Sequence, residues 1–138
     1  MVVQEILNIR TNGRETIDLT RDVEKIIKQS KIVQGICNVF IQHTSASLML
    51  SENADPAVRA DLETFMSHLV QEGDPMFRHN TEGPDDMPAH VRTVLTDCSL
   101  SIPVNHGHSL LGTWQGIYLW EHRQHGFNRK IIVTVYGN

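Results

Sequence analysis

Cysteine is scarce in this chain: two residues in 138, Cys37 and Cys98, far apart in sequence and forming no CxxC pair. Both are read as reduced core residues of a cytoplasmic protein. Long apolar runs are also missing, and nothing approaches the ~20 residues that a membrane span needs. The start, MVVQEILNIR, lacks the basic stretch followed by an apolar run that marks a signal peptide. No block of basic residues occurs, and 12 Lys+Arg against 16 Asp+Glu give a net charge of -4. A charged surface for nucleic acid is therefore not expected, and neither is a membrane partner. Gly-rich phosphate loops of the GxxxxGK[ST] or GxGxxG type are absent, as is a GxSxG elbow. Repeats and low-complexity tracts are absent too.

What remains is ordinary globular composition, 40% hydrophobic and 20% charged, at a length that suits a single domain over residues 1–138. Eight histidines stand out in so short a chain. That excess points to chemistry.

The pattern along the chain predicts α+β. Apolar runs at 3–9 and 14–19 flank Asn12-Gly13, the signature of a type I′ hairpin. Thr20 is expected to cap a helix to about Ser30, with Val23, Ile26 and Ile27 inward. A strand at 35–43 would alternate Cys37, Val39, Ile41 and His43 onto one face, and Ala46–Leu50 is read as extended. Asp55-Pro56 is a helix start whose Val58, Leu62, Phe65 and Leu69 form an apolar stripe. Residues 73–86 read as loop. Asp86 with Pro88 then opens a helix with Val91, Val94, Leu95 and Cys98 inward. Strands are expected at 99–104, 112–123 and 129–136, and Trp114–Trp120 is apolar on both faces, as in a strand buried on both sides. The expected architecture is a mixed or antiparallel sheet with helices on one side.

Three segments place polar, chemically able residues among apolar ones. In His43-Thr44-Ser45-Ala46-Ser47, an inward His43 needs a metal, a carboxylate, a substrate or simply a backbone carbonyl as partner. The stretch from His79 through Glu82, Asp85 and Asp86 to His90 could supply ligands to a divalent cation. Imidazoles favour zinc-type metals and carboxylates favour magnesium or manganese. The plain alternative makes Asp86 a helix cap and Asp85 a partner of the helix dipole, and no HExxH spacing is present. In Gly112–Arg123, strand alternation puts Glu121 with Ile117 and Leu119, and His122 with Tyr118 and Trp120. One pocket therefore cannot receive both. His122 is favoured for the site, leaving Glu121 to pair with an arginine such as Arg129. The competing reading puts Glu121 in the site as general base and packs His122 against Tyr118. Trp114 and Trp120 are expected in the core or at a subunit interface. Arg123 is read as a partner of Glu82 or of a phosphate. His68, His106, His108 and His125 read as surface residues.

These segments carry a resemblance. HTSASL at His43–Leu48, ENADPAV at Glu52–Val58, HNTEGPDDMPAH at His79–His90 and GTWQGIYLWEHR at Gly112–Arg123 resemble the hallmark motifs of the YjbQ/UPF0047 family. Trp120 departs from that pattern, where relatives often carry a smaller residue. The resemblance implies an α+β homotrimer with a site gathered from the shared histidines and acids around a divalent metal or a phosphate-like anion. It also implies a thiamine-phosphate synthase activity, labelled "secondary", a transferase reaction that joins a pyrimidine diphosphate to a thiazole phosphate. On that reading His43, His79 and His90 hold a divalent metal, zinc or magnesium, and His43, His90, His122 and Asp85 do the catalytic work. Thr44, Ser45, Ser47 and Arg123 would bind the phosphate of a phosphorylated small molecule. A metal-dependent hydrolase on the same residues and a non-catalytic trimeric scaffold are the alternatives.

Overall fold

A computed structural model describes residues 1–138. In chain order the elements are β1 (Val2–Arg10), β2 (Glu15–Asp18), α1 (Thr20–Ser30), β3 (Gly35–Ile41), β4 (Ala46–Glu52), α2 (Pro56–Leu69), α3 (Asp86–Leu95), β5 (Ser99–Asn105), β6 (His108–Ser109), β7 (Gln115–Glu121) and β8 (Asn128–Gly137). The α+β class holds, and every strand pairing is antiparallel.

There are two sheets rather than one, ordered β1-β8-β3-β5-β6 and β2-β7-β4. Asn12-Gly13 is accordingly not a hairpin turn. It carries the chain from the first sheet into the second, because β1 finds a full-length ladder on β8 while β2 finds β7. Local turn chemistry loses to a nine-residue long-range pairing. Gly13 is still required: its φ is 140°, and a Cβ there would come within 2.7 Å of the Gln124 carbonyl oxygen.

The main core lies between the five-stranded sheet, α1 and one face of the smaller sheet. Val23, Ile26 and Ile27 of α1 meet Cys37, Val39 and Ile41 of β3, Ile131, Val133 and Val135 of β8, and Ile117 and Leu119 of β7. The opposite face of β7 sends Tyr118 and Trp120 into a second cluster with Met49, Met66 and Val70. So β7 is buried on both faces, as its sequence predicts, and both covers come from its own chain. The helices consequently lie on two sides, α1 in the main core and α2 in the second cluster.

Helix α2 starts as expected, with the Asp55 side chain accepting from the Ala57 N–H at 2.9 Å and Pro56 in the first turn. Its stripe does not face the core: Phe65 and Leu69 are 63% and 58% exposed, and only Met66 of the helix is buried. Helix α3 also buries an unexpected face, through Asp86, Pro88, Ala89, Arg92 and Thr93, while Val94, Leu95 and Cys98 are exposed. The two helices differ in what they bury: α2 turns Met66 into the apolar cluster under β7, while α3 turns in Arg92, whose Nη2 donates to the Val70 carbonyl at 2.8 Å. Thr20 is the first residue of α1 rather than its cap; its N–H is taken by the Asp18 carboxylate at 2.9 Å. Trp114 lies outside β7 and is 63% exposed. No helix is long and apolar enough to cross a membrane.

Candidate metal centre

Asp86 and His90 are four residues apart on α3, so one helical face presents both. The preceding loop brings His79 back over them. His79 Nε2 is 2.8 Å from Asp86 Oδ2, and His90 Nε2 is 3.5 Å from Asp86 Oδ1. The two imidazoles meet edge to face, with centroids 5.4 Å apart. One ligand atom from each of the three residues lies within 4.8 Å of the others. A tetrahedral zinc with bonds of ~2.1 Å spaces its ligand atoms by ~3.4 Å, so small side-chain shifts suffice.

The surroundings fix two of the three members. His90 Nδ1 lies 3.0 Å from the Thr44 carbonyl oxygen. A carbonyl only accepts, so Nδ1 carries the hydrogen and Nε2 keeps its lone pair for the cluster. Asp86 is held from behind by Arg123, whose Nη1 donates to Oδ1 at 2.9 Å while its Nε donates to Asp85 Oδ2 at 3.0 Å. The third arm, Nη2, donates to the Glu82 carbonyl at 2.9 Å. Burial opposes ionisation of Asp86, but hydrogen bonding with Glu82 and His79 and the Arg123 charge outweigh it and hold the carboxyl below the usual range. For Asp85 burial is likewise outweighed, by the Gln124 N–H and by Arg123.

The other residues named from sequence occupy different places. His43 falls beyond the end of β3 and is only half-buried; its Nε2 accepts from the Lys130 N–H at 2.9 Å. That bond engages Nε2, and His43 is not among the residues whose ligand atoms converge. Burial, then the Arg129 charge, push its pKa below the ordinary value. His122 does not join the cluster either. It is fully buried, 5.0 Å ring to ring from Trp120, with Nε2 2.8 Å from Ser47 Oγ and Nδ1 without a partner. Burial, with the charges of Arg92, Arg14 and Arg129, lowers its pKa to about 3. His122 and Ser47 are both shut off from solvent, and neither is among the residues that converge at the cluster.

Glu121 pairs with Arg129, as the alternation of β7 requires. Arg129 Nε donates to Oε1 at 2.7 Å, Nη2 reaches Oε2, and Thr11 Oγ1 donates to Oε1 at 2.6 Å. Ser45 is occupied too, its hydroxyl accepting from Arg129 Nη2 at 3.1 Å. Of the phosphate donors expected from sequence, Arg123 is engaged by Asp85, Asp86 and Glu82, Ser47 meets His122, and Ser45 accepts from Arg129, while Thr44 gives its carbonyl to His90. Asp86, read from sequence both as a possible cation ligand and as a helix cap, is the carboxylate that the structure brings between the two histidines. Its i, i+4 relation to His90 was the available signal.

The family model described as "UPF0047 protein YjbQ-like" matches residues 5–138. UPF0047 protein sll1880 of Synechocystis is 48% identical over 134 residues, covering 97% of this chain and 91% of its own length. UPF0047 protein YjbQ of Escherichia coli O157:H7 is 39% identical, with 99% of both chains covered. Among solved structures, a YbjQ-like protein of unknown function from Sulfolobus solfataricus superposes with a TM-score of 0.88 at 26% identity, covering 100% of both chains. An uncharacterised protein of the yjbq/upf0047 family from Clostridium acetobutylicum gives 0.85 at 30% identity, with 97% of this chain and 99% of that one covered. With the motifs, the fold and nearly the full length in agreement, the chain belongs to the UPF0047 (YjbQ-like) family.

Proposed function

We propose that His79, Asp86 and His90 hold a divalent cation of the zinc type, and that the protein is a metal-assisted enzyme acting on phosphorylated small molecules. The observation that carries this reading is the fixed His90 tautomer, which aims a free lone pair at a carboxylate and a second imidazole. Two imidazoles and one carboxylate suit zinc better than magnesium. Such an ion supplies Lewis acidity to a phosphoryl oxygen. It also supplies the positive charge that the engaged Arg123 cannot.

The chain's own groups divide the remaining work. Arg123 fixes the carboxylates, and Asp85, bound by Arg123 and by the Gln124 N–H, is not free to take a proton. Glu82 is: its carboxylate is 65% exposed and 3.8 Å from His79 Nε2. Proton transfer falls to Glu82 in this scheme. A synthase-like transfer between phosphorylated substrates is the activity the family resemblance implies. Half-exposed His79 also gives water access to the centre, which favours hydrolysis as the second reading.

A homotrimer, which the family resemblance implies, belongs to the same proposal. Both faces of β7 are covered within the chain, so that strand gives no reason to associate. Exposed Phe65, Leu69, Val94 and Leu95 on α2 and α3 do. Light scattering at micromolar concentration tests it, and a clean monomer refutes it.

Zinc titration of the metal-stripped protein, beside His90→Ala, tests the centre. A screen of phosphorylated substrates with zinc and magnesium, run on the same pair, tests the activity. Equal zinc affinity in both proteins would sink the reading.

A further inference from the structure

A cleft of about 500 Å³ opens beside the cluster, with His79 in its wall. That size is ordinary for a small-molecule site. Its walls come from the loop before His79, the loop after it and the first turn of α3. They are fixed by backbone contacts: the Gly73 N–H donates to the Pro84 carbonyl at 3.1 Å, and the Phe77 N–H to the Asp74 carbonyl at 3.2 Å. Asp74 Oδ1 accepts from the Met76 N–H at 3.0 Å, closing a turn with Pro75 inside it.

The composition of the walls decides what fits. No lysine or arginine lines the cleft. Phe77, Met87, Pro75 and Pro84 give flat or soft apolar contact, Asn80 gives an amide, and Asp74 is the only carboxylate. Away from His79, a phosphate against these walls meets no counter-charge and one like charge, that of Asp74. A planar ring meets apolar surfaces and, if it carries an N–H, an acceptor at Asp74.

We infer that this cleft receives the non-phosphate part of the substrate, a flat, uncharged or cationic ring bearing a hydrogen-bond donor. The phosphate lies at the edge of the cleft where His79 and the proposed cation stand. The inference rests on the proposed metal-centre reading, and it adds the substrate class.

The experiment titrates metal-free, ¹⁵N-labelled protein with benzamidine, benzyl alcohol and benzoate: one flat cation, one neutral ring and one flat anion. Benzamidine and benzyl alcohol should shift amides of the loop 73–77 and of 80–87, and benzoate should not. Asp74→Asn keeps the Oδ1 turn contact; it should weaken benzamidine about three- to fivefold and leave benzyl alcohol unchanged. Phe77→Ala should weaken both. Benzoate binding as well as benzamidine overturns the inference, as does the absence of shifts in this cleft with either favoured ring. Zinc titration of the same sample is read separately: lost zinc affinity with intact ring binding refutes the metal centre, and the reverse refutes the cleft assignment.

Discussion

His90 and Thr44 are joined by a side-chain to backbone contact of 3.0 Å that spans 46 residues of sequence and ties α3 to the loop before β4. The imidazole is thereby oriented by a group that no side-chain substitution removes. The candidate centre depends on His90 through its Nε2 and on Arg123 through the carboxylate it fixes.

Asp86→Asn should abolish measurable zinc binding, because it removes the one anionic ligand. Arg123→Met should lower zinc affinity about 10–100-fold, the usual cost of losing a group that orients a ligand. Isothermal titration at neutral pH on both variants, with circular dichroism to verify folding, checks this. An Arg123→Met protein with unchanged affinity shows that Asp86 needs no support.

Zinc affinity should fall as pH falls, because protons compete with the metal for both imidazoles. Asp86 contributes little to that slope over the neutral range, since its carboxyl is held below the ordinary value. Titrations at several pH values read the slope directly. A flat profile would remove the histidines from the ligand set.

Stability should fall with acid through His122. Its folded pKa is lowered to about 3, against ~6.5 in an unfolded chain. Between those values the unfolded state binds the extra proton, so stability is complete above ~6.5 and declines by up to ~1.4 kcal/mol per pH unit toward the folded value. Asp85 and Asp86 add a second loss at lower pH: their contribution is present above the unfolded value of ~3.9 and disappears as pH drops through their depressed folded values. Urea melts from pH 7 to pH 5 should show the decline in the wild type and a shallower one in His122→Phe.

Glu121→Gln should destabilise the fold by ~3–5 kcal/mol, because it leaves the buried Arg129 charge without its counter-ion. The double variant Glu121→Gln with Arg129→Met should cost less than the sum of the single ones. Strict additivity in denaturant melts would show that the two residues act independently.

Thiol labelling separates the cysteines. Cys98 is exposed and should react with a disulfide reagent in the native state. Cys37 is buried, and burial followed by the Glu24 charge pushes its thiol up to about 12, so it should react only on unfolding. Two equally fast thiols would contradict the position of β3.

The residues that made the fold legible were those whose pattern and packing agree. Val23, Ile26 and Ile27 on α1, the Asp55-Pro56 start of α2 and the two-faced β7 were readable because one face or one cap dictates each. Phe65, Leu69, Val94 and Leu95 misled because an apolar stripe says that something covers it, not that the same domain does. Asn12-Gly13 misled because turn propensity is local and β8 lies more than 100 residues away. In the site, the loop from His79 to His90 was legible as a ligand source. The exclusion of His43 and His122 was not, since it depends on the Lys130 N–H and on Ser47, partners that only the tertiary structure brings near.

The Arg123 clamp also sets an order of assembly. The guanidinium lies 38 and 37 residues after the carboxylates it binds. A chain leaving the ribosome therefore presents His79, Asp86 and His90 well before their support exists. Until the β7–β8 loop arrives, burying the two carboxylates on α3 carries an uncompensated charge penalty. The candidate centre keeps its shape only once Arg123 is in place, so a chain interrupted before that residue carries His79, Asp86 and His90 without their support.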